Sequence, residues 1–367
     1  MKKQKALFVK KAVTNPKFMT NDLEILKEKY SVKLKDINTP GNILIFFPLL
    51  RQFFYLLYNI WKFEIVYIWF ADYHSYLPVF FAKLTGKKSI ICAGGYECTY
   101  IPEINCGVFT NESFSKRVRA YCVKFSLKNC SMILPVDETL IKNTNTYIYS
   151  DTEGKPPLKD GIKEFIPEIK TPMETIYLGY DAELFKPSEG AARENAVVSA
   201  GLIVNDDEFK RKGFDLLIEA AAQMPEVKFI LIGFSNDHYE KTKTKISANV
   251  ELHKILSYGR LTEIYSRAKV FAQISMFEGM PSTICEAMLC GCTPVGSDVN
   301  GIPRIIDGLG EVIKKKDISC VVESLQKALK YDKESANKAR DSIVTRFSLE
   351  TRSEKLLNTI EKLLKVS

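Results

Sequence analysis

Glu278 and Glu286 lie eight positions apart in Ser275 to Arg304, SMFEGMPSTICEAMLCGCTPVGSDVNGIPR, with a Gly-Met-Pro turn and the start of a predicted helix between them. A loop leading into a helix points backbone N–H groups ahead of it, and the helix dipole makes that spot favourable for phosphate. Carboxylates accept hydrogen bonds from hydroxyls. One in the loop and one about a turn into the helix suit a ligand with phosphate in its middle and polyols at both ends, which is the layout of a nucleotide sugar.

The whole pattern is more specific than two acids. E-G-x-P-x-x-x-x-E-A-M, then small-G-x-x-P-V, then x-G-I-P resembles the donor-binding segment of retaining glycosyltransferases of the GT-B fold, in the large family numbered four. The resemblance implies that Glu278 lies against the donor sugar and that Glu286 holds the ribose. Gly279, Met280, Pro281 and Ser282 form the donor loop between them.

Breaking the bond to a nucleoside diphosphate leaves negative charge on the departing phosphate, which cations must meet. FKRKGFDLLIEA, residues 209 to 220, places Lys210, Arg211 and Lys212 just before Gly213 and an amphipathic helix. It resembles the family's K-G element, making Lys212 the expected diphosphate clamp, with Arg211 sharing the task. Three departures stand out. Leu202 follows Gly201 where many members carry Arg, so either Arg211 replaces that guanidinium or phosphate binding is weaker. Arg304 follows G-I-P where Glu is common, a change expected to alter packing and electrostatics. The first loop, KKAVTNPKFMTND, lacks the glycine pair often found there, which puts donor contacts from it in doubt.

His74, in WFADYHSYLP, falls where family members commonly place a His that contacts the donor sugar, so it is expected to face the cleft with Glu278 as a catalytic residue. The loop AGGYE ends another predicted strand, and its two glycines permit close approach of a ligand, so acceptor contacts are expected from Gly95 and Tyr96. By resemblance alone, Ser257 to Arg260 would meet the nucleobase. The implied mechanism is retention by front-face attack, with the leaving phosphate helping to take the acceptor proton. It needs no dedicated base, which suits a chain without an evident Ser/His/Asp arrangement. Neither a metal nor a cofactor is expected.

Elements that could position these residues follow from hydrophobic patterning. Runs at 5–10, 65–70, 89–94 and 131–136, and again at 197–203, 227–233, 250–255, 270–275 and 293–298, read as strands alternating with helices, the signature of parallel α/β layers. The predicted fold is α/β with GT-B architecture, two Rossmann-like lobes whose parallel sheets face a central cleft. Residues 1–188 are assigned to an acceptor-binding lobe and 189–345 to a donor-binding lobe. Residues 346–367 form a helix that, by resemblance, crosses back to the first. The boundary follows a stretch resembling the family's G-x-D-x-x-x-F-x-P segment, here Gly179, Asp181, Phe185 and Pro187. Residues 151–170, charged and Pro-rich, read as an exposed loop.

At 367 residues the chain exceeds what one core usually supports. Its net charge of +8 comes entirely from residues 1–180, with 25 Lys and Arg against 17 Asp and Glu; the remainder balances at 27 against 27. A basic first half points to an anionic partner, a membrane surface or a phosphorylated acceptor. No nucleic-acid recognition motif is present. Nine Cys without C-x-x-C spacing, and no cleavable signal after MKKQKALFVKK, point to free thiols in a reducing, cytoplasmic setting. The longest apolar run, 43–50, is too short to span a bilayer.

The segment 49–63 reads as a helix with Arg51, Gln52, Tyr55, Tyr58, Asn59 and Lys62 on one stripe and Phe53, Phe54, Leu56, Leu57, Ile60 and Trp61 on the other. That pattern serves a helix lying on a membrane or one packed on a sheet. The leading expectation is a peripheral enzyme at the inner face of the membrane. It would move a sugar from a nucleotide sugar to a saccharide or lipid-linked acceptor for surface polysaccharide. A nucleotide-sugar epimerase on the same architecture and a two-lobed sugar-binding protein are the alternatives.

Overall fold

The structure, a computed structural model, describes residues 3–11, 16–37, 46–110, 113–150 and 154–365. Parts of three sequence readings, at 12–15 in the first loop, 43–45 in the apolar run and 151–153 in the Pro-rich stretch, lie outside them.

The first lobe is built on five parallel strands in the order β2 (Ser31–Asp36), β1 (Lys5–Lys10), β3 (Ile65–Trp69), β4 (Lys88–Ala93) and β5 (Met132–Pro135). The second has six, ordered β8 (Val250–Lys254), β7 (Lys228–Phe234), β6 (Glu194–Ile203), β9 (Ala268–Gln273), β10 (Thr293–Ser297) and β11 (Glu311–Ile313), again all parallel. Helices cover both faces, so central strands are buried on both sides; all five residues of β3 and of β10 are buried. The strand order reverses between β1 and β3 and between β6 and β9. Loops leaving the carboxyl ends of those strands open a crevice there.

β2 and β11 escaped the sequence reading. β2 is an edge strand, SVKLKD, with an exposed and charged pattern, and β11 has three residues. The stretch 151–170 is not simply an exposed loop. Leu158–Asp160 pairs antiparallel with Asn143–Asn145, and Ile162 and Ile166 are fully buried. Among the helices, α1 (Lys17–Lys29), α2 (Phe46–Asn59), α3 (Tyr73–Leu84) and α4 (Phe114–Asn129) belong to the first sheet.

The expected last helix at 346–367 is, over its described residues, the end of one helix, Lys333–Arg346, a break at Phe347 and Ser348, and a new helix, Leu349–Lys365. That final helix lies on α1. Arg352 binds Asp22 through two bonds of 2.6 and 2.8 Å, both residues essentially solvent-free. Tyr67 and Trp69 donate to the same carboxylate at 2.6 and 2.9 Å, and Arg352 also donates to the carbonyls of Ile176 and Tyr177. Every polar atom of the pair is thereby occupied, the condition under which a buried ion pair is tolerated.

The G-x-D-x-x-x-F-x-P segment runs beside this helix. A side chain at Gly179 would stand 2.9 Å from the Leu349 backbone, Asp181 accepts from the N–H groups of Glu183 and Leu184, and Phe185 packs edge-on to Tyr258.

Candidate functional site

Two loops at the reversal point of the second sheet build the site. After β6, a short helix, Asp206–Arg211, ends on Lys212 and Gly213; after β9, the loop Ile274–Pro281 leads into the helix Ser282–Leu289. Gly213 has φ of +70°, and a Cβ there would fall 2.2 Å from the Ile274 carbonyl oxygen, so glycine lets the two loops touch. Met276 N–H then donates to the Arg211 carbonyl at 2.8 Å.

The expected clamp and the expected sugar ligand meet directly. Lys212 Nζ is 2.6 Å from Glu278 Oε1, and Arg211 Nη1 is 3.5 Å from the same oxygen and 3.0 Å from the Phe277 carbonyl. Gln273 Nε2 donates to Glu278 Oε1 at 3.3 Å and is itself oriented by Ser275 and Thr283. Burial alone would raise the Glu278 pKa, but Lys212 and Arg211 outweigh it and hold the carboxyl below its usual value. Burial likewise opposes the charge of Arg211, and the carboxylates of Glu278 and Glu208 outweigh it. Leu202 is exposed near the end of β6, while the Arg211 guanidinium lies on Glu278.

Glu286 has a different environment. It faces a crevice with Ser282, Lys17, Phe18, Asn21 and Asp181, where about 10 Å³ is open. Burial pushes its pKa up to about 7. Tyr258, after the cap Ser257 of the helix Tyr258–Arg267, stands close enough to Glu286 for its own pKa to be raised by it, second to burial. The site's two acids thus differ. Glu278 is ionised and paired, whereas Glu286 is poised near neutrality. Larger cavities, about 680 Å³ under α2 and about 600 Å³ between Pro187–Arg193 and Tyr331–Asn337, lie outside this constellation.

The remaining donor-loop residues face the first lobe. A Cβ on Gly279 would be 2.0 Å from the Gly94 carbonyl oxygen, and Met280 Sδ accepts from Leu178 N–H at 3.2 Å. Gly279, Met280 and Pro281 are all buried, leaving Ser282 on the crevice. Gly95, expected to admit an acceptor, is instead covered by Phe277 and Gly279; only Tyr96 of that pair is exposed. The two glycines serve close approach of loop to loop.

His74 is also corrected. It occupies the first turn of α3, 1% exposed, with Nε2 3.0 Å from the Trp69 carbonyl and Nδ1 unpartnered. Burial lowers its pKa, and the ring is enclosed against the Trp69 carbonyl instead of open at the surface. The capping Asp72, two residues earlier, turns the chain inward there and is itself clasped by Arg119 at 2.8 Å and Lys11 at 3.3 Å.

Three contributors were missed, and a fourth, Arg304, was noted only as a departure. Glu97 spans the glycine loop, accepting from Gly94 N–H at 3.0 Å and Gly95 N–H at 3.1 Å, and burial raises its pKa to about 7 against those donors. Asn145 Nδ2 donates to the Met276 carbonyl at 2.9 Å from the other lobe. Asn300, at φ of 44°, accepts from Glu278 N–H at 3.3 Å. Arg304, flagged as a departure, reaches Asp137 at 3.1 Å, pairs with Glu138 and lies over the Tyr177 ring, tying the lobes together. Glu97 bonds main-chain atoms, and for the others spacing gives no signal for contacts between segments so far apart. The G-I-P motif does mark one of them, because a Cβ on Gly301 would press on the Gly279 carbonyl oxygen at 2.8 Å. Among the described residues, no group of three or more His, Cys, Asp or Glu is arranged to hold a metal ion, and all nine cysteines are free.

Residues 202–343 match the family model described as glycosyl transferases group 1. One component of phosphatidylinositol N-acetylglucosaminyltransferase from Arabidopsis thaliana is 24% identical over 157 residues, 41% of this chain and 34% of that protein. Alpha-galactosylglucosyldiacylglycerol synthase from Streptococcus pneumoniae is 34% identical over 120 residues, 30% of this chain and 31% of its own length. The chain therefore spans about a third of each of these curated relatives.

Among solved structures, sucrose-phosphate synthase from Thermosynechococcus elongatus superposes with a TM-score of 0.73 at 12% identity over 100% of both chains. Anabaena Alr3699/HepE, in complex with UDP and glucose, gives 0.70 at 15% identity over 98% of this chain and 100% of its own. At those identities the likeness establishes the fold, the two-lobed GT-B architecture.

Proposed function

We propose, from the premise that residues 202–343 form a group 1 glycosyl transferase domain on a GT-B fold, that this chain is a retaining hexosyltransferase using a nucleoside-diphosphate sugar. The observation that carries the reading is the convergence of Lys212, Arg211 and Glu278 at the reversal point of the second sheet, with Glu286 on the adjoining crevice. Fold and match alone would not locate chemistry.

In this reading the diphosphate displaces Glu278 as the counter-ion of Lys212 and Arg211, and the released carboxylate turns to the sugar. Arg211 takes the place of the guanidinium absent at Leu202. Glu286, once ionised, accepts from the ribose hydroxyls. The bond from the anomeric carbon to the β-phosphate oxygen breaks as the acceptor oxygen attacks from the same face. The acceptor proton passes to that phosphate oxygen, and Glu278 stabilises the positive charge developing at the ring. The protein's own cations neutralise the leaving group without a metal.

The acceptor is proposed to be a saccharide or lipid-linked saccharide destined for surface polysaccharide or glycolipid, at the cytoplasmic face of a membrane. Two relatives carry a phosphatidylinositol and a diacylglycerol in their names, and the basic first half suits such a place.

Calorimetry with UDP, GDP and their sugar conjugates tests the donor site. Binding of one diphosphate, lost in Glu286→Ala and Lys212→Ala and unchanged by EDTA, supports it and names the nucleotide. An acceptor screen with that donor, read by NMR of the product anomer, then tests retention. A folded protein that binds none of them sinks the reading.

A further inference from the structure

Three helices of the first lobe turn an apolar face outward. Along α2 and its continuation Ile60–Lys62, Phe47, Leu50, Phe54, Leu57 and Trp61 recur at spacings of three and four and are all exposed, Phe47 by 66% and Trp61 by 64%. The opposite side, Gln52, Leu56 and Ile60, is buried. The sequence offered membrane or sheet as alternatives for this segment; the helix has a face for each, and the sequence had misassigned Gln52, Phe54, Leu57 and Trp61 between them.

On α4, Phe114, Val118 and Tyr121 repeat the pattern, with Phe114 75% exposed. Phe80 and Leu84 on α3 are exposed between them, and rings link the helices. Phe53 touches Phe54 and Phe81, while Tyr76 meets Phe80, Phe125 and Tyr121. A contiguous surface of this kind marks an interaction site.

Charge identifies the partner. No Asp or Glu occurs in α2, its continuation, α3 or α4, whereas Arg51, Lys62, Arg117 and Lys124 are exposed on them. Aromatic and aliphatic stripes among cations, with no acid, match an anionic lipid headgroup layer over acyl chains. No helix among the described residues is long and apolar enough to cross a membrane, so this surface would lie on one.

We propose that the outer face of α2, α3 and α4 docks on an anionic bilayer. Its α4 edge adjoins the cleft, because Arg119 stacks on Tyr96, next to the glycine loop that meets the donor loop. A bilayer-held acceptor would enter there, a use that rests on the glycosyl-transfer reading; the docking itself rests on the face alone.

Flotation of the full chain with phosphatidylcholine vesicles, and with the same vesicles containing phosphatidylglycerol, tests this. Binding should be at least about tenfold tighter to the anionic vesicles and weaken with salt. Phe54→Ser with Trp61→Ser, and separately Arg51→Glu with Arg117→Glu, should each lower it about tenfold or more while calorimetric nucleotide binding is kept. Equal, weak binding to both vesicle types overturns the proposal, as does binding indifferent to either pair of substitutions. So does light scattering in which the serine pair converts a dimer to a monomer without vesicles. Vesicle binding by a protein that binds no nucleotide would sink the transfer reading and leave the docking intact.

Discussion

Lys212 and Glu278 form a nearly buried ion pair, 2.6 Å between Nζ and Oε1, made from two groups that the proposed donor requires separately. Each therefore competes with the ligand for the other. Lys212→Ala should weaken nucleoside-diphosphate binding about 10- to 100-fold, the 1.5–3 kcal/mol of a hydrogen bond to a charged group. Glu278→Gln should keep or tighten that binding, since a rival counter-ion has gone, while turnover falls on the order of 100-fold or more. Calorimetry and initial rates on both variants check this. Equal loss of binding in the two would contradict the separate roles.

Glu286 should make nucleotide affinity pH-dependent. With its pKa at about 7, the carboxylate form that accepts ribose hydroxyls fills as pH rises through neutrality, so affinity should climb and then level. In Glu286→Gln that rise should be absent.

Stability moves the other way. The ordinary Glu value is 4.5, so between 4.5 and about 7 the folded protein holds a proton that the unfolded chain has released. Unfolding free energy contributed by Glu286 therefore falls as pH rises across that window. Glu286→Gln should raise Tm at pH 8 by a larger step than at pH 5, measured by calorimetry. A uniform step at both would refute the burial-raised pKa.

Gly279→Ala places a methyl 2.0 Å from the Gly94 carbonyl oxygen. The oxygen is backbone and the methyl is fixed directly to backbone, so neither can rotate away and the lobes must part. Turnover should drop at least about tenfold with diphosphate binding to the second lobe preserved. Unchanged turnover would show that the closed contact is not the working arrangement.

Arg352→Met should destabilise the protein by about 3–5 kcal/mol, because it leaves Asp22 buried without its cation. Adding Asp22→Asn should restore part of that loss. Denaturant titrations of the single and double variants measure it, and simple additivity would argue against the pair.

Much of this was legible in the chain because the relevant spacing is local. Parallel strands buried on both faces leave short apolar runs, which is why nine strands could be placed from composition, whereas β2, charged and at an edge, could not. Glu278, Gly279, Pro281 and Glu286 share one loop and helix, so a linear motif reports them. Glu97, Asn145 and Arg304 act through partners that are distant in sequence or bound to main-chain atoms, and no periodicity records that. His74 failed for a related reason. A position after a strand fixes which end of the sheet a residue occupies, but the cap at Asp72 decided that this side chain points inward.

The Asp22–Arg352 pair also bears on how the polypeptide is made. Asp22 is translated 330 residues before its cation, Arg352, in the helix Leu349–Lys365. Until Arg352 has been translated, one face of α1 lies uncovered and a carboxylate destined for a dry site is unmatched. Residues 194–343, translated later, can complete their own sheet first. Co-translational folding usually finishes first the lobe that is made first; here the Asp22–Arg352 contact can close only after the second lobe's sheet has been translated.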